Sequence, residues 1–132
     1  NWINPQFSGS PDDEIKILNK TIKILSEDKR NKFLITHYQF IASMLPKNTY
    51  SFNRTYDDVA YPGKRNDHFE FYKNFFIDHL INKNIEIIYI IKPLDKNVFD
   101  KLINNDCYEQ KTINKILTSY LIISCDELKK QR

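Results

Sequence analysis

Two short apolar runs constrain this chain more than anything else in it: Phe33-Leu34-Ile35-Thr36-His37-Tyr38 and Ile85-Glu86-Ile87-Ile88-Tyr89-Ile90-Ile91-Lys92-Pro93. Both are rich in β-branched and aromatic residues, and each follows a stretch with apolar residues at helical spacing. Strands covered on both faces of a mostly parallel sheet read this way, as near-continuous apolar runs rather than alternating ones. In such sheets, ligands bind outside the carboxyl ends of the strands. The polar residues that close the two runs are therefore the first candidates for function.

The length of 132 residues predicts a single domain over 1–132, large enough to bury a core without metal or disulfide support. With 2 Gly and 5 Pro, and 41% of residues hydrophobic, the chain reads as a folded globule rather than a linker. Its 20 Lys and Arg against 17 Asp and Glu leave a formal charge of +3, too mild for a nucleic-acid partner. Lys29-Arg30, Lys64-Arg65 and Lys129-Lys130 each lie beside an expected helix end, where solvation and the helix dipole account for them. No apolar run reaches the roughly 20 residues of a membrane span. Met44 is the only methionine, so the sequence reads as a fragment of a longer protein.

Along the chain, Ser10-Pro11-Asp12-Asp13-Glu14 starts a helix: Ser10 caps it, Pro11 fits its first position, and three acids face its positive end. Ile15, Leu18, Ile22 and Leu25 form the expected apolar face. A strand over 33–37, a short helix over 39–45 and a short strand at Tyr50-Ser51-Phe52 follow. Asn53 to Lys64 is a polar, aromatic-laced loop closing on the turn pair Pro62-Gly63. Phe69, Tyr72, Phe76 and Leu80, widened by Phe75 and Ile77, define a second long helix. After the 85–91 strand, Val98, Phe99, Leu102 and Ile103 predict a helix opened by Asp95, and Ile113, Ile116 and Leu117 predict another. Tyr120 to Ser124 reads as the last strand, and 126–130 as a frayed helix. This alternation predicts an α/β fold: a three-layer sandwich around a mostly parallel sheet of about four strands, Rossmann-like or flavodoxin-like.

Gly9 and Gly63 are the only glycines, and neither lies between a strand and the helix after it. Close approach of backbone to phosphate usually needs glycine there, which argues against classical dinucleotide and P-loop nucleotide binding, and no cofactor is expected. His37, His68 and His79 lack metal-ligand spacing, and no metal site is expected. Thr36, His37 and Tyr38 close the first run, where backbone amides and the Thr36 hydroxyl suit an anion or a sugar hydroxyl; the more ordinary reading is that Thr36 caps the next helix while His37 and Tyr38 pack. Asn53-Arg54-Thr55-Tyr56-Asp57-Asp58, with Tyr61, is the densest polar and aromatic cluster. Arg54 suits a carboxylate or phosphate, Asp57 a sugar hydroxyl and Tyr56 a ring face, unless Arg54 is neutralised by Asp57 or Asp58. Cys107 and Cys125 flank the last expected helix and strand; an oxidising compartment favours a disulfide between them, and the cytosol favours two thiols.

The stretch 33–40, the segment Asn53-Arg54-Thr55-Tyr56, and Ile87-Ile88-Tyr89-Ile90-Ile91-Lys92-Pro93-Leu94 together carry a resemblance. They resemble the soluble C-terminal domain of bacterial multi-spanning membrane proteins related to C-type, protein O-mannosyltransferase-like glycosyltransferases. That resemblance implies a catalytic site in a membrane-embedded part of the parent chain and an extracytoplasmic, periplasmic place for this domain. Such a place permits the Cys107–Cys125 disulfide. It transfers no catalytic residue to this sequence.

The resulting expectation is a non-catalytic domain that binds or positions a glycan acceptor or another anionic or hydroxyl-rich partner. Its site is expected at the strand carboxyl ends, from Thr36, His37, Tyr38, Asn53, Arg54, Tyr56, Asp57 and Lys92, with Ser124 at the outer edge and the 53–64 loop as a lid. The alternative is a stand-alone α/β hydrolase or transferase using His37 with Asp57 or Asp58 as an acid–base pair.

Overall fold

A computed structural model describes residues 9–51 and 65–129. Helix α1 (Pro11–Glu27) begins as its sequence dictates: Ser10 Oγ accepts from Asp13 N at 3.2 Å, with Pro11 in the first turn. Its buried stripe, however, is Glu14, Leu18, Thr21 and Leu25, so the helix is rotated from the expected face and Ile15 is left exposed. Strand β1 (Lys32–Ile35) follows a tight turn, then a 3-10 helix (Gln39–Met44) and the two-residue strand β2 (Thr49–Tyr50).

Helix α2 (Phe69–Asn82) buries Phe69, Phe76, Ile77 and Leu80, close to the expected face. It ends in a reciprocal pair of bonds, Ile85 N to the Leu80 carbonyl at 2.9 Å and Asn84 N to the Ile81 carbonyl at 3.0 Å. That closure needs a left-handed residue, and Asn84 supplies it with φ of 51°. Ile85 then leads directly into β3 (Ile87–Ile91), every residue of which is buried.

Beyond β3 the expected order fails. The apolar spacing over 95–103 forms only a short 3-10 turn (Lys96–Val98), followed by another at Asn105–Cys107. Strand β4 (Tyr108–Thr112) and strand β5 (Leu117–Ile122) come next, and the one-turn helix α3 (Asp126–Lys129) closes the described chain. Residues 113–117 are a hairpin turn and a strand start, not a helix. Asn114 explains this: its Oδ1 accepts from Ile116 N and from Leu117 N, both at 2.9 Å, which reverses the chain within four residues.

The sheet order is β2-β1-β3-β5-β4. β1 pairs in parallel with β2 and with β3, whereas β3–β5 and β5–β4 are the longer, antiparallel ladders. The expectation of a mostly parallel, Rossmann-like or flavodoxin-like sheet of about four strands is thereby overturned: over the described residues the sheet is mixed, has five strands and is mostly antiparallel. The physical reason is the hairpin. A parallel return needs a crossover of a dozen or more residues, and four residues between β4 and β5 allow only an antiparallel one.

Helices still cover both faces at the centre of the sheet. On one side α1 packs Leu18 and Leu25 on Leu34, Ile87, Tyr89, Ile91 and Leu117. On the other, α2 packs Phe76, Ile77 and Leu80 on Phe33, Ile35, Ile88 and Ile90. The Phe33 and Phe76 rings meet edge-on at 5.5 Å, and Phe99, Tyr108 and Tyr120 form a mutually edge-on trio at 5.1 to 5.5 Å. Each of these burials contributes roughly 1.5–3 kcal/mol. Cys107 and Cys125 form a disulfide with a Cα–Cα separation of 5.1 Å, tying the start of β4 to the residue before α3. Lys73 Nζ pairs with Glu127 Oε1 at 3.2 Å, and Glu127 Oε2 accepts from Asn104 N, so α3 is also held against α2 and the 104–107 turn.

Candidate functional site

The β1–β3 register, Ile35 opposite Ile90, carries Thr36 and His37 to the same sheet edge as Ile91 and Lys92. These sequence-chosen residues then diverge. Thr36 is buried, and its Oγ1 accepts from Tyr38 N at 2.9 Å, closing a local turn. Tyr38 is buried on the α1 side, where its hydroxyl donates to Glu14 Oε1 at 2.7 Å. His37 is exposed beside them. Asn53, Arg54, Tyr56 and Asp57, together with Asp58, Tyr61 and the lid expected over 53–64, lie outside the described residues.

Lys92 points the other way, into a cleft of about 400 Å³ on the α2 side of the sheet. Three segments build it. Ile90 and Tyr120, diagonal neighbours on one face of the β3–β5 ladder, form its floor. The chain leaving β3 contributes Lys92, Leu94, Asp95, Lys96 and Asn97. The hairpin contributes Gln110, Thr112, Asn114 and Thr118. Alternation along the strands explains the selection, because Gln110, Thr112, Thr118 and Tyr120 share the face of Ile88 and Ile90. Lys92 N also donates to the Ile116 carbonyl at 2.8 Å, which fixes the β3 exit against the hairpin turn.

Some of this polar lining is already committed. Asp95 Oδ1 accepts from Asn97 N at 2.9 Å, and Asn114 is spent on the turn and on Thr21 Oγ1. The side chains of Lys92, Lys96, Asn97, Gln110, Thr112 and Thr118 make no hydrogen bond among the described residues. Burial, then the nearby Tyr108 and Asp95, push the Tyr120 phenol above its ordinary pKa, so it stays a proton donor at neutral pH. The cleft thus offers amide, hydroxyl and ammonium groups around an aliphatic and aromatic floor.

At the amino edge of the sheet the polar groups are consumed by each other. Arg30 forks onto Asp28, with Nε–Oδ1 at 3.0 Å and Nη2–Oδ2 at 2.9 Å, and the Tyr89 hydroxyl donates to the same Oδ2. Burial acts to raise the Asp28 pKa, but the Arg30 and Tyr89 bonds outweigh it and hold the carboxyl at about 2. Burial and the Asp28 bond push the Tyr89 phenol up to about 12. Lys32 is fully buried in β1, its Nζ donating to the Asp28 carbonyl at 2.7 Å and to Asn48 Oδ1 at 3.3 Å, and burial lowers its pKa. A groove of about 350 Å³ at this edge is lined chiefly by Leu80, Ile81, Ile85, Leu121, Ile122 and Leu128. Its Glu86 is engaged by Asn31 N.

Ser124 requires a correction. The sequence groups it with the other strand ends, but β5 runs antiparallel to β3, with Leu121 opposite Ile87, so the end of β5 lies at the amino edge of β3. Gln110, Thr112 and Thr118 take its place at the cleft. The sequence does not single them out, because the apolar spacing of Ile113, Ile116 and Leu117 suggests a helix where the hairpin turns; Asn114 ahead of the run 116–123, with its β-branched residues, is the signal that marks it. Among the described residues there is no cluster of three His, Cys, Asp or Glu side chains placed to hold a metal. No described helix is long and apolar enough to cross a membrane. No protein-family model, curated protein or solved structure matches the chain.

Proposed function

We propose that this chain is a non-catalytic glycan-binding domain, an extracytoplasmic part of a larger membrane glycosyltransferase-like protein, holding an acceptor glycan in the cleft at the carboxyl end of β3. The observation that carries the reading is the set of unspent side chains there: Lys92, Lys96, Asn97, Gln110, Thr112 and Thr118 around Ile90 and Tyr120. Sugar hydroxyls both donate and accept, and amide and hydroxyl side chains do the same. The apolar face of a pyranose fits an aliphatic and aromatic floor. Lys92 and Lys96, offset among the described lining residues by Asp95 alone, favour acidic or phosphorylated sugars over neutral ones. The Cys107–Cys125 disulfide supports an oxidising compartment.

Titration of the protein with neutral, acidic and phosphorylated oligosaccharides, followed by amide chemical shifts, tests the reading. Shifts are expected to concentrate on 92–97 and on the hairpin residues 110–118, and Asn97→Ala with Thr118→Ala is expected to weaken binding about tenfold or more. Absence of binding across the panel, or binding that the double variant leaves intact, overturns it.

A further inference from the structure

Strand β4 is the outermost strand of the described sheet on the hairpin side. The bonds Ile113 N to the Leu117 carbonyl and Ile123 N to the Cys107 carbonyl, both 2.9 Å, set the phase of the β4–β5 ladder. Residues 107, 109, 111 and 113 therefore turn their backbone groups toward β5, and Tyr108, Gln110 and Thr112 turn theirs outward. No described strand receives them. Glu109, Gln110, Lys111 and Thr112 are exposed, and neither Glu109 nor Lys111 has an ion-pair partner among the described residues.

We propose that this edge pairs with the same edge of a second copy of the chain, antiparallel about a two-fold axis at Gln110, joining two five-stranded sheets into one. The tract Tyr108-Glu109-Gln110-Lys111-Thr112 is self-complementary in that register. Gln110 faces the partner's Gln110, and Tyr108 faces the partner's Thr112, as hydrogen-bonded pairs made entirely by outward-turned backbone groups. Glu109 faces the partner's Lys111, and Lys111 the partner's Glu109, in the non-hydrogen-bonded positions where opposed side chains lie closest.

Charge also selects this register from its neighbours. Slipping the pairing by one step either way keeps the outward groups in phase, but sets Glu109 against the partner's Glu109 or Lys111 against the partner's Lys111. An edge protected against self-association typically carries charge that repels a copy of itself. This one carries charge that attracts a copy in one alignment alone. The two-fold axis stands perpendicular to the sheet, so the clefts holding Gln110 and Thr112 open on the same side of the joined sheet.

Sedimentation across the micromolar range tests the pairing on the intact, oxidised chain. A concentration-dependent dimer is expected. Lys111→Glu and Glu109→Lys each place like charges opposite one another twice and are expected to weaken self-association about 30-fold. Mixing those two variants is expected to restore dimers, since each edge then complements the other. Gln110→Pro removes an outward N–H at the axis without cutting a bond to β5, and is expected to leave a folded monomer by circular dichroism. A wild-type chain that stays monomeric throughout, or a dimer indifferent to Lys111→Glu and Gln110→Pro, overturns the proposal.

Discussion

The Tyr38 hydroxyl donates to Glu14 Oε1 at 2.7 Å, with both side chains almost wholly removed from solvent. One bond thus joins the first turn of α1 to the turn that follows β1, and it engages a side-chain oxygen of a buried Glu14. A buried polar oxygen that loses a donor pays its desolvation, about 1–3 kcal/mol. Tyr38→Phe is expected to lower the unfolding free energy by that amount, seen as a lower urea midpoint at unchanged slope. An unchanged midpoint would show that the bond contributes nothing.

The amino-edge cluster sets the pH dependence of stability. Asp28 sits at about 2 in the folded chain, below the 3.8 of an unperturbed carboxyl, so the unfolded chain binds that proton first. Its contribution is complete above about pH 4 and is lost as pH falls through about 2; solvent around the half-exposed Arg30 limits it to roughly 1–2 kcal/mol. Tyr89 runs the opposite way. Its phenol sits at about 12, above the ordinary 10.0, so its contribution is complete below pH 10 and fades as pH rises toward 12. Chemical unfolding against pH should therefore show Asp28→Asn flattening the acid limb and Tyr89→Phe flattening the alkaline limb.

Asn114 holds the hairpin turn through Oδ1 and reaches α1 through Nδ2, which donates to the buried Thr21 Oγ1 at 3.2 Å. Asn114→Ala removes all three bonds and is expected to cost about 2–3 kcal/mol. Asn114→Asp keeps the acceptor oxygen and should recover part of that loss in thermal melts. Equal losses for the two variants would mean that the Thr21 contact, not the turn, carries the energy.

The difference between the legible and illegible parts of this fold lies in how far each element depends on distant partners. In α2, fourteen residues with apolar positions recurring at helical spacing decide their own face. In 95–103 and 113–117 the same spacing spans only about two and a half and one and a half turns, too little to separate a helix from an irregular chain that buries the same residues. Asn114 then tips the second stretch into a hairpin. Glu14 reads in sequence as an acid serving the helix dipole, because nothing near it in the chain announces the Tyr38 hydroxyl twenty-four residues on. Lys32 carries no sequence signal for the same reason, since its acceptors come together only once the 28–31 turn and Asn48 are in place. Of the cleft, Lys92 was legible from the end of its strand. Gln110 and Thr118 were not, because their inclusion depends on β5 returning antiparallel beside β3.

The Cys107–Cys125 bridge has a consequence for the chain before it folds. Its eighteen-residue span encloses β4, the turn and β5 completely. In the oxidised denatured ensemble, therefore, the two strands of the hairpin are never far apart, and about 3 kcal/mol of loop entropy has already been withdrawn from the unstructured state. The ladder with the smallest sequence separation becomes the cheapest to nucleate, while β1 must still find β3 across more than fifty residues. Oxidation thereby biases the order of assembly toward the C-terminal half, with β5 presented as a preformed edge against which β3 and then β1 can add.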